Sequence, residues 1–471
     1  MQGYGRLMLA LLGLALVWTV FLVTSYDIAF WYDEVFTLGA AGVNGTPDWD
    51  ALRRDVHPPT HPLIIHLAAT SADLPLGALR LTNLLALLPL SLAGWFATSA
   101  LGAKRAALAA LLMLTGALFF HLSLELRAYG LLLAAAALGS AALLAIEVEV
   151  PGARAALFAA SILLTTLHFF GAALGVALLL TLAAHDPRRA LVPVLLAICL
   201  AAATLLWAFA IGDVRGALGG ALWIQNGLEP WLGLVAAQPL LTLAWMGLLM
   251  APRRGLDPPT GAVPRALMTL APGAMVIAVA AAISLHSPVI STKNLTVVIP
   301  GLALAAALLT PAAILTRLDR SLLTPAVVTA VASAHAVSAS NSFQYIEWAV
   351  ETATPAPCVG LPLYTIDPDI VDRYAQQVFL GEILRPPTQL RTLSETSDLS
   401  PYRGACDIVA ADFHEDGPAS DVVRLFAARG LSVRIEQAPD PRAETTDQMR
   451  MGFVVRVLSD DRAPVNSPSP P

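Results

Sequence analysis

A chain of 471 residues that is 56% hydrophobic and only 13% charged, with mean hydropathy +0.68, is not a soluble globular protein, since those carry about 25% charged residues. Its net charge of −6 provides no basic surface for nucleic acid. The composition fits a polytopic α-helical membrane protein, whose apolar runs need about 20 residues each to cross a bilayer.

The first run, Leu7 to Val23, follows a single basic residue, Arg6, and precedes no small-residue cleavage site. It reads as a retained helix rather than a signal peptide. A polar stretch follows from Trp31 to His66. It concentrates two adjacent carboxylates (Asp33 and Glu34), two adjacent arginines (Arg53 and Arg54) and three histidines (His57, His61 and His66). Within it, Thr60 to Ala72 reads as a short helix with Pro62 near its start, where a missing amide donor costs little. That helix is too short to span and is expected at the interface. Later apolar runs fall at about 79–101, 106–122, 128–146, 155–167, 169–184, 190–211, 231–250, 266–285, 295–315 and 322–340. The total is about eleven transmembrane helices, provided one long run is split at His168.

Loop charges require that split. With it, and with the N-terminus inside, the cytoplasmic loops hold Lys104 and Arg105, then Arg154, then Arg188 and Arg189, then Arg253, Arg254 and Arg265, then Arg317 and Arg320. Every such loop is positive, as orientation demands. Arg53, Arg54, Arg80, Arg127, Arg215 and Lys293 fall on the outer side against the rule. Each alone fits a side chain snorkelling to lipid headgroups; together, beside outer carboxylates and histidines, they suggest an anion-binding site.

From residue 341 the hydrophobic spans stop. Cys358 to Thr365, Cys406 to Ala411 and Met451 to Leu458 read as strands. Asp367 to Leu380 and Ala419 to Arg429 read as helices, the second closed by Gly430. The expected organisation is a membrane domain over 1–340, a small outer α/β domain over 341–460 and a disordered Pro/Ser-rich tail over 461–471. Of the three cysteines, Cys199 lies in an apolar span as a small packing residue. Cys358 and Cys406 are candidates for a disulfide in an oxidising compartment, although two strand starts need not be close enough to bond.

Five groups of residues carry a resemblance. They are Trp31-Tyr32-Asp33-Glu34; His57-Pro58-Pro59-Thr60-His61-Pro62 with Leu63 to His66; Glu125-Leu126-Arg127-Ala128-Tyr129; Thr166 to Gly171 around His168; and Lys293-Asn294-Leu295 with Pro300. In this order and at these helix ends, they resemble the GT-C glycosyltransferases, nearest to the glycosyltransferase family 39 group. That group holds protein O-mannosyltransferases and the aminoarabinose transferase of lipid A. The resemblance covers the membrane part only. It implies a GT-C fold in a bacterial inner membrane, with the N-terminus cytoplasmic and the C-terminal domain periplasmic. It also implies an inverting transfer of a sugar from a polyprenyl-phosphate-linked donor to a lipid, glycan or protein hydroxyl.

The residue types suit that chemistry. A carboxylate in hydrogen-bond reach of an acceptor hydroxyl can take its proton, and Asp33 is the expected base, with Glu34 orienting the acceptor, supporting Asp33 or helping to bind a cation. Charge grows on the leaving phosphate, so fixed cations stabilise it. Arg127 can fork onto phosphate or pair locally with Glu125, and Lys293 is one of only two lysines. His57, His61 and Tyr129 are expected to line the substrate pocket. His57, His61 and His66 would also suit a divalent metal beside Asp33 or Glu34. Their spacing is not that of a zinc finger, so no cofactor is required and a metal remains a candidate. Arg53 and Arg54 are expected to pair with Asp50 and Asp55, and His168 to be a structural residue at a helix end. The alternatives are a lipid-linked-sugar flippase and a membrane sensor with an outer α/β domain. A transporter needs polar groups at the bilayer midplane, whereas these spans carry almost none and the charges cluster at one face.

Overall fold

The computed structural model describes residues 5–25, 32–43, 45–55, 57–72, 76–211, 227–250, 257–285, 289–321 and 323–339, and, beyond these, five strands and Ala427. The chain divides into two compact units. One joins Met1–Asp27 to Trp49–Ser340; the other joins Ile28–Asp48 to Asn341–Pro471.

The first unit is a helical membrane bundle. Among the described residues, four helices have the length and composition to cross a bilayer: Ala78–Leu101, Tyr129–Glu147, Leu191–Phe209 and Ala262–Ser284. Five shorter apolar helices accompany them: Leu11–Thr24, Ala153–Leu167, Phe169–His185, Asn294–Leu309 and Thr324–Val337. Tyr129–Glu147 is the central helix, with every side chain from Tyr129 to Ile146 buried. A helix apolar on all sides is stable only when surrounded in this way or by lipid. Leu191–Leu206 shows the second case, with Leu191, Val192, Leu195, Ile198 and Leu205 exposed. Cys199 shares that exposure. It is a lipid-facing residue and not the packing residue expected from the sequence.

Two of the apolar runs are broken. Ala103–Leu114 and Ala117–Leu124 meet at 68°, and Glu229–Ala237 and Pro239–Met250 at 96°. Pro239 removes an amide donor and ends the preceding helix. The two breaks touch. A side-chain carbon on Gly116 would lie 2.3 Å from Gln238 Oε1 and 2.4 Å from the Ala237 carbonyl, so only glycine fits there. The run at 295–315 also stops early, at Leu309, and a separate helix covers Ala312–Ser321.

The helix split at His168 is present. The residue is extended (φ −164°, ψ 146°), and its Nδ1 accepts the Phe170 N–H at 3.0 Å, capping the next helix. The short helix Thr60–Ala72 is present as expected. At one end of the bundle, Arg265 donates to Glu147 Oε2 at 2.7 Å and to the Ala100 carbonyl at 3.1 Å, and Arg105 donates to the Thr310 carbonyl at 3.1 Å. Arg127 precedes Tyr129–Glu147 and so lies at the end of that helix opposite Glu147.

The second unit contains the helix Tyr32–Ala41 and a sheet. Gly42 follows the helix at φ +63°, and a side-chain carbon there would meet the Thr46 carbonyl, so glycine is required. The strands are β1 (Leu363–Thr365), β2 (Leu390–Thr392), β3 (Ala410–Asp412), β4 (Val433–Gln437) and β5 (Phe453–Val457), in spatial order β2-β1-β3-β5-β4. β1 pairs parallel with β2 and β3; β5 pairs antiparallel with β3 and β4. Three of the five were expected; β2 and β4 were not. The candidate disulfide cysteines, the two C-terminal helices apart from Ala427, Arg215 and the tail lie outside the described residues.

Candidate phosphate-binding site in the helical bundle

The site is built on the linker between Ala117–Leu124 and Tyr129–Glu147. Asn83 fixes its backbone, with Nδ2 donating to the Ser123 carbonyl at 2.7 Å and to the Glu125 carbonyl at 2.9 Å. Trp18 Nε1 donates to Ser123 Oγ at 2.9 Å. Two polar clusters grow from this linker, one on each side of Tyr129.

The first is Asp55, His57 and Arg127, all buried. The His57 backbone N–H donates to Asp55 Oδ1 at 3.1 Å, and His57 Nδ1 lies 2.9 Å from the same oxygen. Arg127 Nη2 also lies 2.9 Å from His57 Nδ1, and Arg127 Nη1 is 3.8 Å from Asp55 Oδ2. One ring nitrogen cannot donate to Asp55 and accept from Arg127 at once. With a proton on Nδ1, the ring donates to Asp55 and leaves Nε2 to accept from the Tyr129 hydroxyl, 3.3 Å away. The adjacent carboxylate favours that form. Burial works to raise the Asp55 carboxyl, but His57 and Arg127 outweigh it and hold it below the ordinary value.

Two further histidines back this cluster. His61 is pushed from 6.5 down to about 3, first by burial and then by Arg127 and His57, against Asp55. His168 is held well below its ordinary value by burial and by the same two residues. Its Nδ1 accepts a backbone N–H, which fits a neutral ring with the proton on Nε2. The rings pack together: His57 to His168 at 4.7 Å, His57 to Tyr129 at 5.8 Å and Tyr129 to His168 at 5.4 Å between centroids.

The second cluster centres on Glu125. Its Oε1 accepts from Lys293 Nζ at 2.7 Å and lies 2.7 Å from His121 Nε2. Burial works to raise this carboxyl, yet Lys293 and His121 pull it from 4.5 down to about 2. Lys293 Nζ is 6.0 Å from the Tyr129 ring centroid, so Tyr129 touches both clusters. The two cations differ in access. The Lys293 side chain is 26% exposed and the Arg127 side chain 7%. The far end of the turn Asn294–Val298 helps to wall a separate apolar cavity of about 150 Å³, lined by Leu174, Leu270, Gly273, Ile277, Val297 and Val298 and not by Lys293.

The structure therefore brings together Arg127, Lys293, His57, His61 and Tyr129 of the residues expected from the sequence. It redistributes their ion pairs. Arg127 is not the partner of Glu125, which Lys293 takes instead, and Asp55 pairs with His57 and Arg127. Arg53 is exposed beside Asp50 at 3.8 Å. His168 caps a helix, as expected, and also packs on His57. Asp33 and Glu34 occupy the first turn of Tyr32–Ala41, in the other unit; the Thr37 hydroxyl donates to the Asp33 carbonyl at 2.8 Å, and Glu34 is buried. The residues missed were Asp55 and His121. Their signals were local: an acidic residue two positions before His57, the spacing of a side chain bonding a backbone N–H, and a His121–Glu125 pair at i,i+4. Among the described residues, no group of three or more His, Cys, Asp or Glu could hold a metal ion.

No protein-family model matches the chain, and no curated protein matches it. Solved structures do. ArnT from Cupriavidus metallidurans bound to undecaprenyl phosphate superposes with TM-score 0.59 over 98% of this chain and 99% of that one, at 16% identity. The apo state of the same protein gives TM-score 0.57 over 94% and 97%, at 15% identity. The chain thus has the GT-C fold of a multi-pass membrane protein.

Proposed function

We propose that this protein is an inverting glycosyltransferase that moves a sugar from a polyprenyl-phosphate donor to a hydroxyl of a lipid, glycan or protein of the cell envelope, at the outer face of the inner membrane. The observation that carries the proposal is the fold shared over 98% of the chain with a protein bound to undecaprenyl phosphate. Lys293 supports it, as a buried-side cation that is still partly open, which suits a phosphate ligand.

In this reading, an acceptor hydroxyl oxygen attacks the anomeric carbon while the bond from that carbon to the phosphate oxygen breaks. The electron pair leaves with polyprenyl phosphate, the acceptor proton goes to Asp33, and a single displacement inverts the anomeric centre. Lys293 meets the growing phosphate charge, and Arg127 adds field from behind. His57, His61 and Tyr129 line the pocket, and Glu34 supports Asp33. A divalent metal held near Asp33 and Glu34 would add charge stabilisation, and no step depends on it.

Mass spectrometry of envelope glycans from a deletion strain tests the proposal. The expected result is loss of one sugar substituent, restored by the wild-type gene and not by Asp33→Asn. An unchanged glycan profile would refute it.

A further inference from the structure

Glu125 is an unusual neighbour for a phosphate-binding lysine. A ligand anion approaching Lys293 meets an ammonium that already holds a carboxylate 2.7 Å away. The two are not equally accessible: the Glu125 side chain is 1% exposed and that of Lys293 26%. A ligand can therefore touch the cation without touching or displacing its counter-charge. Glu125 is held at its carboxylate and at its backbone. His121 Nε2 lies 2.7 Å from the same Oε1, and Asn83 holds the Glu125 carbonyl at 2.9 Å. Glu125 Oε2 has no hydrogen-bond partner, so no donor beyond Lys293 and His121 offsets its charge.

The chemistry of the proposed reaction gives this arrangement a use. The donor is a phosphodiester and carries one negative charge. The product left behind, polyprenyl phosphate, is a monoester with a second ionisation near 6, so it carries close to two charges at neutral pH. A site made only of cations would bind its product more tightly than its donor and would be slow to release it. A fixed carboxylate beside the lysine repels a doubly charged ligand more than a singly charged one.

We propose that Glu125 is a specificity-determining residue that makes the site favour a singly charged phosphodiester over a doubly charged phosphomonoester, and so promotes product release. The inference rests on the polyprenyl-phosphate reading above. Glu125 acts through the Lys293 subsite without touching the reacting atoms.

The test is direct binding, in nanodiscs, of undecaprenyl phosphate and of its methyl ester, two ligands with the same tail and different charge. Glu125→Gln keeps an oxygen to accept from Lys293 and His121 and removes only the charge. The expected result is that undecaprenyl phosphate gains about tenfold in affinity relative to the methyl ester, the effect of one additional ligand charge interacting with the lost carboxylate across a partly screened gap. In turnover, the same variant should show tighter product inhibition and a lower donor KM with a reduced kcat. If Glu125→Gln does not fold, Lys293→Met compared with the Glu125→Gln, Lys293→Met double variant reads the same charge, with the double variant favouring the monoester by about the same factor. Equal shifts for both ligands would overturn the inference alone. A wild-type protein that binds neither ester would overturn the donor reading and this inference with it.

Discussion

Asp55→Asn tests the first cluster, because it removes a charge and little else. The asparagine oxygen can still accept the His57 backbone N–H that Asp55 Oδ1 accepts at 3.1 Å. What is lost is the negative charge 3.8 Å from Arg127, whose side chain is only 7% exposed. Stripping one partner from a buried ion pair costs about 3–5 kcal/mol when the other charge is left uncompensated, and Arg127 keeps further contacts. The long contact puts this pair at the lower bound, about 3 kcal/mol. In a chain of this size, each kcal/mol moves Tm by roughly 2 °C, so Asp55→Asn should melt about 6 °C below wild type. Intrinsic tryptophan fluorescence of the detergent-solubilised protein, which has nine tryptophans, provides the assay. In a double-mutant cycle with Arg127→Met, the two changes should couple, the double variant being about 2 kcal/mol more stable than additivity gives. Additive losses, or a single variant melting with wild type, would show that Asp55 and Arg127 do not act as a pair.

Three further outcomes follow from the same structure. His61 falls from 6.5 unfolded to about 3 folded, so its contribution is complete above the unfolded value and is lost as pH falls toward the folded one. Glu125, lowered from 4.5 to about 2, has the same sign in a more acidic window. The melting temperature should therefore fall with acidification already below the ordinary histidine range, and His61→Gln should reduce that first part of the slope, with His168 supplying the rest; an unchanged slope would contradict the burial of a neutral His61. Gly116→Ala would press a carbon to within 2.3 Å of Gln238 Oε1, and overpacking of this kind costs about 1–3 kcal/mol. Gly94→Ala, with nothing within 4 Å of the new carbon, is its control and should be neutral or stabilising. Asp33→Asn should abolish sugar transfer while leaving the melting temperature within about 2 °C of wild type, the range of a non-core substitution; retained turnover would reassign the base.

The spans were legible because run length and loop charge are one-dimensional signals. The break at His168 could be read from charges alone, and Thr60–Ala72 from its proline and its length. The bends were less visible. Gly116 and Pro239 are clear enough in the sequence, but that they mark two breaks packed against each other depends on contacts between distant residues. The same limit applied at the site. Local proximity suggested Glu125 for Arg127 and Asp55 for Arg53 or Arg54. Glu125 instead takes Lys293, 168 positions away, and Asp55 takes Arg127, from the linker before Tyr129–Glu147. In a buried setting the nearest cation in space wins over the nearest in sequence, since an unpaired buried charge is the more costly outcome. Cys199 shows the converse, because nothing in a uniformly apolar helix says which side meets lipid. In the second unit the missed strands, Leu390–Thr392 and Val433–Gln437, alternate charged and apolar residues over too few positions to stand out.

The central claim is transfer of a sugar from a polyprenyl-phosphate donor, and proteoliposomes test it most directly. Purified protein is supplied with a radiolabelled polyprenyl-phosphate sugar and an extract of envelope acceptors, and both the labelled product and the released polyprenyl phosphate are measured. The account predicts that polyprenyl phosphate appears in step with label on an acceptor, and that Asp33→Asn stops both. Movement of the intact lipid-linked sugar across the bilayer, with no polyprenyl phosphate released, would contradict it and identify a flippase.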